Sequence, residues 1–544
     1  MIIQELNLIQ KTHSYLPAEE LQDLSRRLNV PLYRLHGLAS FYPHFRLQPP
    51  PRVDIRVCHD MACLLRGATD LQAIARTAVD ASPLTDAQVG TTACLGQCDG
   101  APAIVVNDQI YTEASAQRIM SLLESLAGGR TLRRQRYVAP ATAFVCDPYG
   151  GASTYDALRR LVHGGDSSAV IEALKASGLR GMGGAGFPTG VKWELVRQAP
   201  GETKYVICNA DESEPGTFKD RVILQTLPDL VLEGMALAAV TVGARKAIIY
   251  IRHEYARQRD VLLKTLRQRQ AEGVLGAYMM GSAQHVEFEI FESPGGYICG
   301  EETALLEALE DRRAEPRHKP PFPGTHGLFG APTLLNNVET FAMVPGIVLN
   351  GGDWWAEHGQ NGAKGLKFLA VSGQVKNPGV YEVPLGLTVH ELIERAGGMR
   401  YGRTLKAFAP GGASSGFLPA SMADIPLDFR TLAEAGSMLG SGAVVVIGDG
   451  VCMLQLALNV GRFFRNESCG KCVPCRVGSE KIVTLLEGIL AGNGSRADLE
   501  LIEELSATMA LTSICGLGQA APNPILSVIK YFKDDITRYI KGSG

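Results

Sequence analysis

Three cysteines at C-x2-C-x2-C constrain the end of this chain more than any other feature. They are Cys469, Cys472 and Cys475 in Ser468-Cys-Gly-Lys-Cys-Val-Pro-Cys-Arg476, and a distant fourth, Cys515, sits in Ser513-Ile-Cys-Gly-Leu-Gly518. A tight triplet can wrap three corners of a cubane while one remote ligand closes the fourth, which is a spacing that [4Fe-4S] clusters use; zinc sites prefer paired knuckles. The sequence around them is helical in pattern from about Met453. Residues 451–544 are therefore expected to form a helical domain interrupted by a cluster loop.

Four further cysteines lie near the start. Cys58 and Cys63 form C-x4-C, Cys94 and Cys98 form C-x3-C, and thirty residues separate the pairs. Strand-like Val53, Ile55 and Val57 run into Cys58, a helical stretch follows through Leu71 and Ile74, and Val89 to Ala93 reads as a strand leading into Cys94-Leu-Gly-Gln-Cys98. With the strands after Ala103 and a helix from about Ser115 to Leu126, the order is close to βαββα, which suits a small thioredoxin-like domain over 51–130 with both pairs at one end of its sheet. Four thiolates so placed can hold a [2Fe-2S] cluster or zinc, and the spacing favours iron–sulfur; a disulfide is the remaining alternative. The other four cysteines, Cys146, Cys208, Cys299 and Cys452, read as small buried hydrophobes.

Between these ends lies Gly178-Leu-Arg-Gly-Met-Gly-Gly-Ala-Gly-Phe-Pro-Thr-Gly-Val-Lys-Trp193, with six glycines in sixteen residues. Glycines let successive backbone N–H groups converge on an anion, Thr189 can cap a following helix, and Lys192 adds a point charge. The composition reads as a phosphate cradle or as a hinge. Strand–helix alternation follows: Tyr205 to Asn209, Leu230 to Val242, Ala247 to Ile251, Tyr255 to Gln270 and Val286 to Phe291. An open, mostly parallel α/β domain is expected over 151–361, with ligands beyond the carboxyl ends of its strands, where Asn209-Ala-Asp-Glu-Ser-Glu-Pro-Gly216 and Ser293 to Glu302 fall. The glycine loop precedes the first strand instead of following it, so it is not the usual dinucleotide fingerprint. Lys319-Pro-Pro-Phe-Pro-Gly324 reads as a stiff loop, and Leu334-Leu-Asn-Asn-Val-Glu339 sets two amides beside an acid.

Residues 1–50 read as short helices. Residues 131–150 read as a linker whose basic run, Arg130 to Arg136, and prolines Pro140 and Pro148 suit a solvated surface, and 362–450 as a β-grasp-like module of short strands and one helix. The 544 residues allow roughly three or four domains. A formal charge of -3 argues against nucleic acid as a partner. No apolar run is long enough to insert in a membrane and the start is not that of a secretory signal, so a cytoplasmic location is expected.

The segments Gly-Gly-Ala-Gly-Phe-Pro-Thr-Gly-Val-Lys-Trp, Asn-Ala-Asp-Glu-Ser-Glu-Pro-Gly-Thr-Phe-Lys-Asp-Arg, Tyr-Ile-Cys-Gly-Glu-Glu-Thr-Ala-Leu, Asn-Asn-Val-Glu-Thr and Ser-Cys-Gly-Lys-Cys-Val-Pro-Cys-Arg closely resemble the NADH-binding flavoprotein (51 kDa-type) family of complex I subunits and its soluble relatives. The resemblance runs from about residue 150 to the end, and the first 130 residues resemble a shortened thioredoxin-like protein of the 24 kDa type fused in front. It implies a multidomain α/β chain with a thioredoxin-like ferredoxin domain, a Rossmann-like FMN/NAD domain, a β-grasp-like (soluble ligand-binding-type) module and a C-terminal helical bundle holding a cluster. It implies FMN, NAD(H), [4Fe-4S] and [2Fe-2S] as cofactors, the clusters at the eight cysteines above. By motif, Gly181, Gly183, Gly184 and Lys192 would surround FMN, and Asn209, Asp211, Glu212, Tyr297, Gly300, Asn336 and Asn337 would hold its ring and ribityl chain. Glu214, Glu301 and Glu302 would line the NAD(H) pocket, and Phe187, Lys319 and Phe322 would meet the adenosine half, the phenylalanines by stacking.

Two departures stand out: Met182, where family members commonly have arginine, and Leu195, near a common aromatic. The implied activity is that of a diaphorase subunit, an NAD(H):acceptor oxidoreductase in a hetero-oligomer. Its expected partner is the molybdenum or tungsten catalytic subunit of a formate dehydrogenase, with further iron–sulfur clusters; an NAD-reducing hydrogenase or a complex I-type NADH dehydrogenase is the alternative. The protein need supply no catalytic residue for hydride transfer, since the cofactors perform it. A non-enzyme alternative is a zinc- and nucleotide-binding scaffold.

Overall fold

A computed structural model describes residues 1–135 and 143–540 of the chain, so Arg136 and Pro140 of the expected linker lie outside the described residues. Three helices, Ile2–His13, Ala18–Leu28 and Leu32–Ala39, lead into the first sheet. Its strands are β1 (Val53–Cys58), β2 (Ala87–Thr92), β3 (Ile104–Val106) and β4 (Gln109–Tyr111), in the order β2-β1-β3-β4. β1 and β2 are parallel, with Cys58 opposite Thr92. Two parallel strands end at the same edge, and this is why Cys58 and the Cys94 loop meet although they are far apart in sequence.

The second sheet contains β5 (Tyr205–Ala210), β6 (Lys246–Arg252), β7 (Glu287–Ser293) and β8 (Thr333–Asn337), in the order β7-β6-β5-β8, with every pairing parallel. The chain steps outward from β5 to β7 and then crosses back to the far side of β5. That reversal opens a crevice at the carboxyl ends of β5 and β8, where ligands of parallel sheets gather. β8 is a strand that sequence patterning does not announce. Its apolar part is only Leu334-Leu335, while its polar end residues, Asn336 and Asn337, read as loop chemistry. Burial decides it: Thr333, Leu334 and Leu335 are buried beside β5. Asn337 then caps the helix Val338–Asn350 by accepting from the Glu339 N–H.

The third sheet, of β9 (Leu366–Gly373), β10 (Gly379–Pro384), β11 (Leu405–Ala409), β12 (Leu418–Pro419) and β13 (Ala443–Gly448), runs β10-β9-β13-β11-β12 and is mixed, with only β13 and β9 parallel. Helices Met453–Glu467, Val473–Gly488, Arg496–Thr512 and Asn523–Tyr531 complete the described chain with shorter helical turns. No single described helix is long and apolar enough to cross a membrane.

A fully buried ion network joins the second and third sheets. Lys219 Nζ lies 2.6 Å from Asp220 and 2.9 Å from Glu339, and Lys367 of β9 reaches the same Glu339 oxygen at 2.5 Å. Burial pulls Lys219 down, but Asp220 and Glu339 outweigh it and hold the ammonium above its ordinary value. Lys367, with burial dominant, is lowered to about 8. Such a network is weak evidence of net stability, but removing one member strands the others in a dry interior, so it fixes how the two sheets dock.

Glu233 is a second buried charge, inside the apolar helix Pro228–Val242. Tyr149 donates its hydroxyl (2.8 Å) and Leu158 its N–H (3.0 Å) to Oε1, while Oε2 is buried without a partner. Burial pushes this carboxyl up to about 7. The folded value exceeds the unfolded one of about 4.3, so the contribution to stability is full below the unfolded value and is lost as pH rises through the folded one. Glu233→Gln is therefore expected to melt at nearly the parent temperature in acid and several degrees above it at pH 8; parallel pH profiles of the two melting points would contradict this.

Candidate cofactor and electron-transfer site

The glycine loop is a tight hairpin over the crevice. Gly178 ends the preceding helix in the left-handed conformation, Gly181 N–H bonds Phe187 O at 2.8 Å, and Thr189 N–H bonds Leu179 O at 2.9 Å. Its floor is the start of the helix after β8: Met182 N–H donates to Thr340 Oγ1 at 2.9 Å, and a Cβ at Gly183 would stand 3.0 Å from Asn337 Cβ. One expectation is corrected here. Thr189 does not cap the following helix; it is the first residue of Thr189–Gln198, Pro188 is at the cap position, and the Thr189 hydroxyl is buried without a partner. From that helix Lys192 donates to Leu335 O (2.8 Å), and Trp193 Nε1–H to Asn336 Oδ1 (3.0 Å).

Asn209 and Asn337 are in register at the ends of β5 and β8. Asn209 donates to Gly300 O at 2.8 Å, which joins the first acid loop to the Tyr297–Gly300 turn. Asp211 accepts from Ser213 and, at 2.7 Å, from Ser293; burial pushes it up to about 6. The Glu212 carboxylate is fully engaged within the protein. It accepts from the Asp220 and Arg221 N–H groups at 2.9 and 3.1 Å and from Tyr255 OH at 2.9 Å, and burial raises it to about 7. Its side chain thus accepts from the first turn of the helix Lys219–Thr226. Glu214 accepts from Ser414 of the third sheet's β11–β12 connection.

A second group of expected residues forms one chain of charge. Lys319 bridges Glu301 (2.9 Å) and Glu302 (3.0 Å), and Lys192 lies 3.7 Å from Glu302. Glu301 also caps the helix Glu302–Leu309. Despite burial, Lys192 and Lys319 hold Glu302 below its ordinary value. Phe187 and Phe322 remain about half exposed, at 47% and 58%, as faces still open to stacking. Of the two departures, Met182 is buried under the loop and Leu195 is exposed.

Both cysteine sets assemble, and none of the twelve cysteines forms a disulfide. Cys58, Cys63, Cys94 and Cys98 are buried, with Cys94 and Cys98 sulfurs 3.5 Å apart. Bonds from Cys58 and Cys98 hold Cys94 well below the ordinary thiol range, while Cys58 and Cys98 are themselves pushed up. Four buried thiols brought together at one end of the sheet are the donor type that an iron–sulfur centre takes. Cys469, Cys472, Cys475 and Cys515 line one pocket with Ile298, Pro316, Ile514 and Leu517. Ser468 and Lys471 also line it, and the four cysteine sulfurs are a donor set that fits a cluster. Ile298 belongs to the same short turn as Gly300, and Tyr297 N–H bonds Glu467 at 2.7 Å, so four residues span from the crevice to the pocket.

Sequence reasoning misses what holds the N-terminal cluster loop to the crevice. Arg252, at the end of β6, donates to Cys94 O (2.8 Å) and to Glu212 O; Arg221 donates to Asp99 (2.6 Å) and Gln97. Gly96, at φ 65°, approaches Tyr255 so closely that a Cβ would lie 2.4 Å from its hydroxyl oxygen. On the other side Met61 N–H and His59 O bond Asn459 of the C-terminal helices. Arg221 lies in the Lys-Asp-Arg end of the motif that begins at Asn209, but nothing local in the sequence marks Arg252.

Four family descriptions match the chain: "Nuo51 FMN-binding domain" over 174–346, "NADH-ubiquinone oxidoreductase-F iron-sulfur binding region" over 455–539, "Thioredoxin-like [2Fe-2S] ferredoxin" over 1–127, and "SLBB domain" over 368–418. The chain is 44% identical to the NADH-quinone oxidoreductase F 2 subunit of Rhizobium meliloti (strain 1021), covering 72% of this chain and 94% of that protein. It is 41% identical to the HndC subunit of the NADP-reducing hydrogenase of Solidesulfovibrio fructosivorans, covering 68% and 76%. A solved chain of an NAD+-reducing [NiFe]-hydrogenase in its H2-reduced state superposes with a TM-score of 0.88 at 34% identity, covering 99% of this chain and 93% of that one.

Cys475→Ser is expected to abolish the cubane signal in low-temperature EPR of the reduced protein and to leave the N-terminal cluster's signal intact. Unchanged iron content and spectra, or stoichiometric zinc in the parent, would contradict the cluster assignment.

Proposed function

This chain belongs to the family of NADH-quinone oxidoreductase F subunits, and from that premise we propose that it is the NAD+-reducing subunit of a hetero-oligomeric oxidoreductase with its own catalytic partner. As a family member it is an oxidoreductase subunit acting on NAD(H), with FMN, a [4Fe-4S] and a [2Fe-2S] cluster. When bound, the flavin exchanges hydride with nicotinamide and single electrons with iron–sulfur clusters.

The chain's own residues bind and orient. Gly181, Gly183, Gly184 and Lys192 form the FMN cradle, with Asn209, Asp211, Asn336 and Asn337 behind it and the Glu212 backbone, Tyr297 and Gly300 at its edge. The fit is physical: Gly181, Gly183 and Gly184 put no side chain in the way of an anion, and the half-buried Lys192 ammonium has Glu302 near it at 3.7 Å. Glu214, Glu301 and Glu302 shape the NAD(H) side, with Phe187, Lys319 and Phe322 toward the adenosine. The domain divisions at 50, 130, 150, 361 and 450 belong to the same proposal.

The observation that carries the partner reading is the end-to-end likeness to the hydrogenase chain, which includes the N-terminal cluster domain. It favours hydrogen as the partner's substrate. Formate, the sequence-based expectation, requires nothing different of this chain, because neither substrate is bound by the residues above. The free cysteines suit a reducing compartment, and the cytoplasm is proposed accordingly.

Co-purification of the native complex followed by NAD+ reduction assays decides the partner: hydrogen-dependent activity supports the hydrogenase reading, formate-dependent activity the formate dehydrogenase reading, and neither refutes both. Lys192→Ala is expected to release FMN into the filtrate on dilution, read by flavin fluorescence; full retention would contradict the cradle.

A further inference from the structure

The connection Gly411–Gly416 leaves the third sheet and ends on an acid of the second. Ser414 directs two donors, its backbone N–H at 2.8 Å and its hydroxyl at 2.5 Å, to one atom, Glu214 Oε1. Gly412 makes this approach possible. It sits at φ 84°, and a Cβ there would stand 3.0 Å from Glu214 Cδ, so a side chain would push the acid aside. The connection is itself fixed from a third direction: Asn523 of the C-terminal helices donates to Ser414 O at 2.7 Å, and Phe417 N–H bonds Ser527 at 2.9 Å. Ser414 is buried.

Both donors on Oε1 hold the carboxylate in one orientation and leave Oε2 for another donor. We infer that Ser414 is a positioning residue for NAD(H) recognition, presenting Glu214 Oε2 to a hydroxyl or amide donor of the dinucleotide. The inference rests on the proposed place of Glu214 in the NAD(H) pocket. Burial pushes Glu214 up to about 7, and the two Ser414 bonds oppose it by favouring the ionised acceptor. An acid left free to rotate would spend binding energy on being ordered at each encounter, which weakens substrate and transition state alike and raises KM while sparing kcat.

The test uses the full-length flavin-loaded protein, with NADH oxidation read against ferricyanide. Ser414→Ala is expected to raise KM for NADH by roughly tenfold with kcat within about twofold, the loss of a charge-assisted bond. Ser414→Thr, which keeps the hydroxyl, is expected to restore KM, and Ser414→Ala is expected to add nothing in a Glu214→Gln background. If Ser414→Ala precipitates, Ser414→Cys, similar in size and a poorer donor, reads the same split. An unchanged KM in the serine variants, with a raised KM in Glu214→Gln, would overturn the positioning role and leave the nucleotide pocket standing. An unchanged KM in Glu214→Gln would overturn the pocket assignment itself. A matched fall in kcat without a change in KM, or failure of threonine to rescue, would also overturn the inference.

Discussion

The buried guanidinium of Arg252 is the interaction on which the site's assembly depends. It closes β6, pairs with Glu254 at 2.7 Å, and gives its remaining donors to two backbone carbonyls, Cys94 of the cluster loop and Glu212 of the acid loop. A planar group with five donors in a fixed fork can tie three strands of chain in one plane, which a lysine could not. Because the carbonyls are backbone atoms, the clamp sets the position of each loop and leaves its side chains free for other work. Arg221, Gly96 and Asn459 add to this hold on the cluster loop, while the N-terminal helices are tied separately to Glu292, Asp311 and Arg312.

The same double use recurs around the crevice. Glu212, Glu301 and Asn337 each bond the first turn of a helix as well as belonging to the proposed site, so the loops around the crevice are held by the helices they begin. Ion pairs that would be of little worth on a surface are here dry and shared, as in Lys219, Asp220, Glu339 and Lys367. They join the second and third sheets through Glu339, and the same pair of sheets also meets at Ser414 and Glu214.

Much of the architecture is legible in the sequence because its signals are local. Cysteine spacing, the glycine loop and the alternation around β5, β6 and β7 each lie within a short window. The resemblance names FMN, NAD(H) and both clusters, and the family membership bears those out. β8 stays hidden because a five-residue strand ending in two asparagines has too little apolar length to register. Thr189 misleads because the rule for helix starts favours threonine, while Pro188 supplies the turn. Arg252, Ser414 and Asn459 are not legible at all. Their partners are 158, 200 and 398 residues away, and no periodicity in one segment reports a contact of that range.

At the centre of this account, one chain brings NAD(H), a flavin and iron–sulfur clusters to a single crevice. Rapid mixing of the purified, cofactor-loaded chain with NADH, followed by absorbance and freeze-quench EPR, tests it most directly. The account predicts that flavin absorbance falls and that an EPR signal of a reduced cluster then appears without any partner chain. Flavin reduction with the clusters left oxidised, or no response of either to NADH, would contradict it.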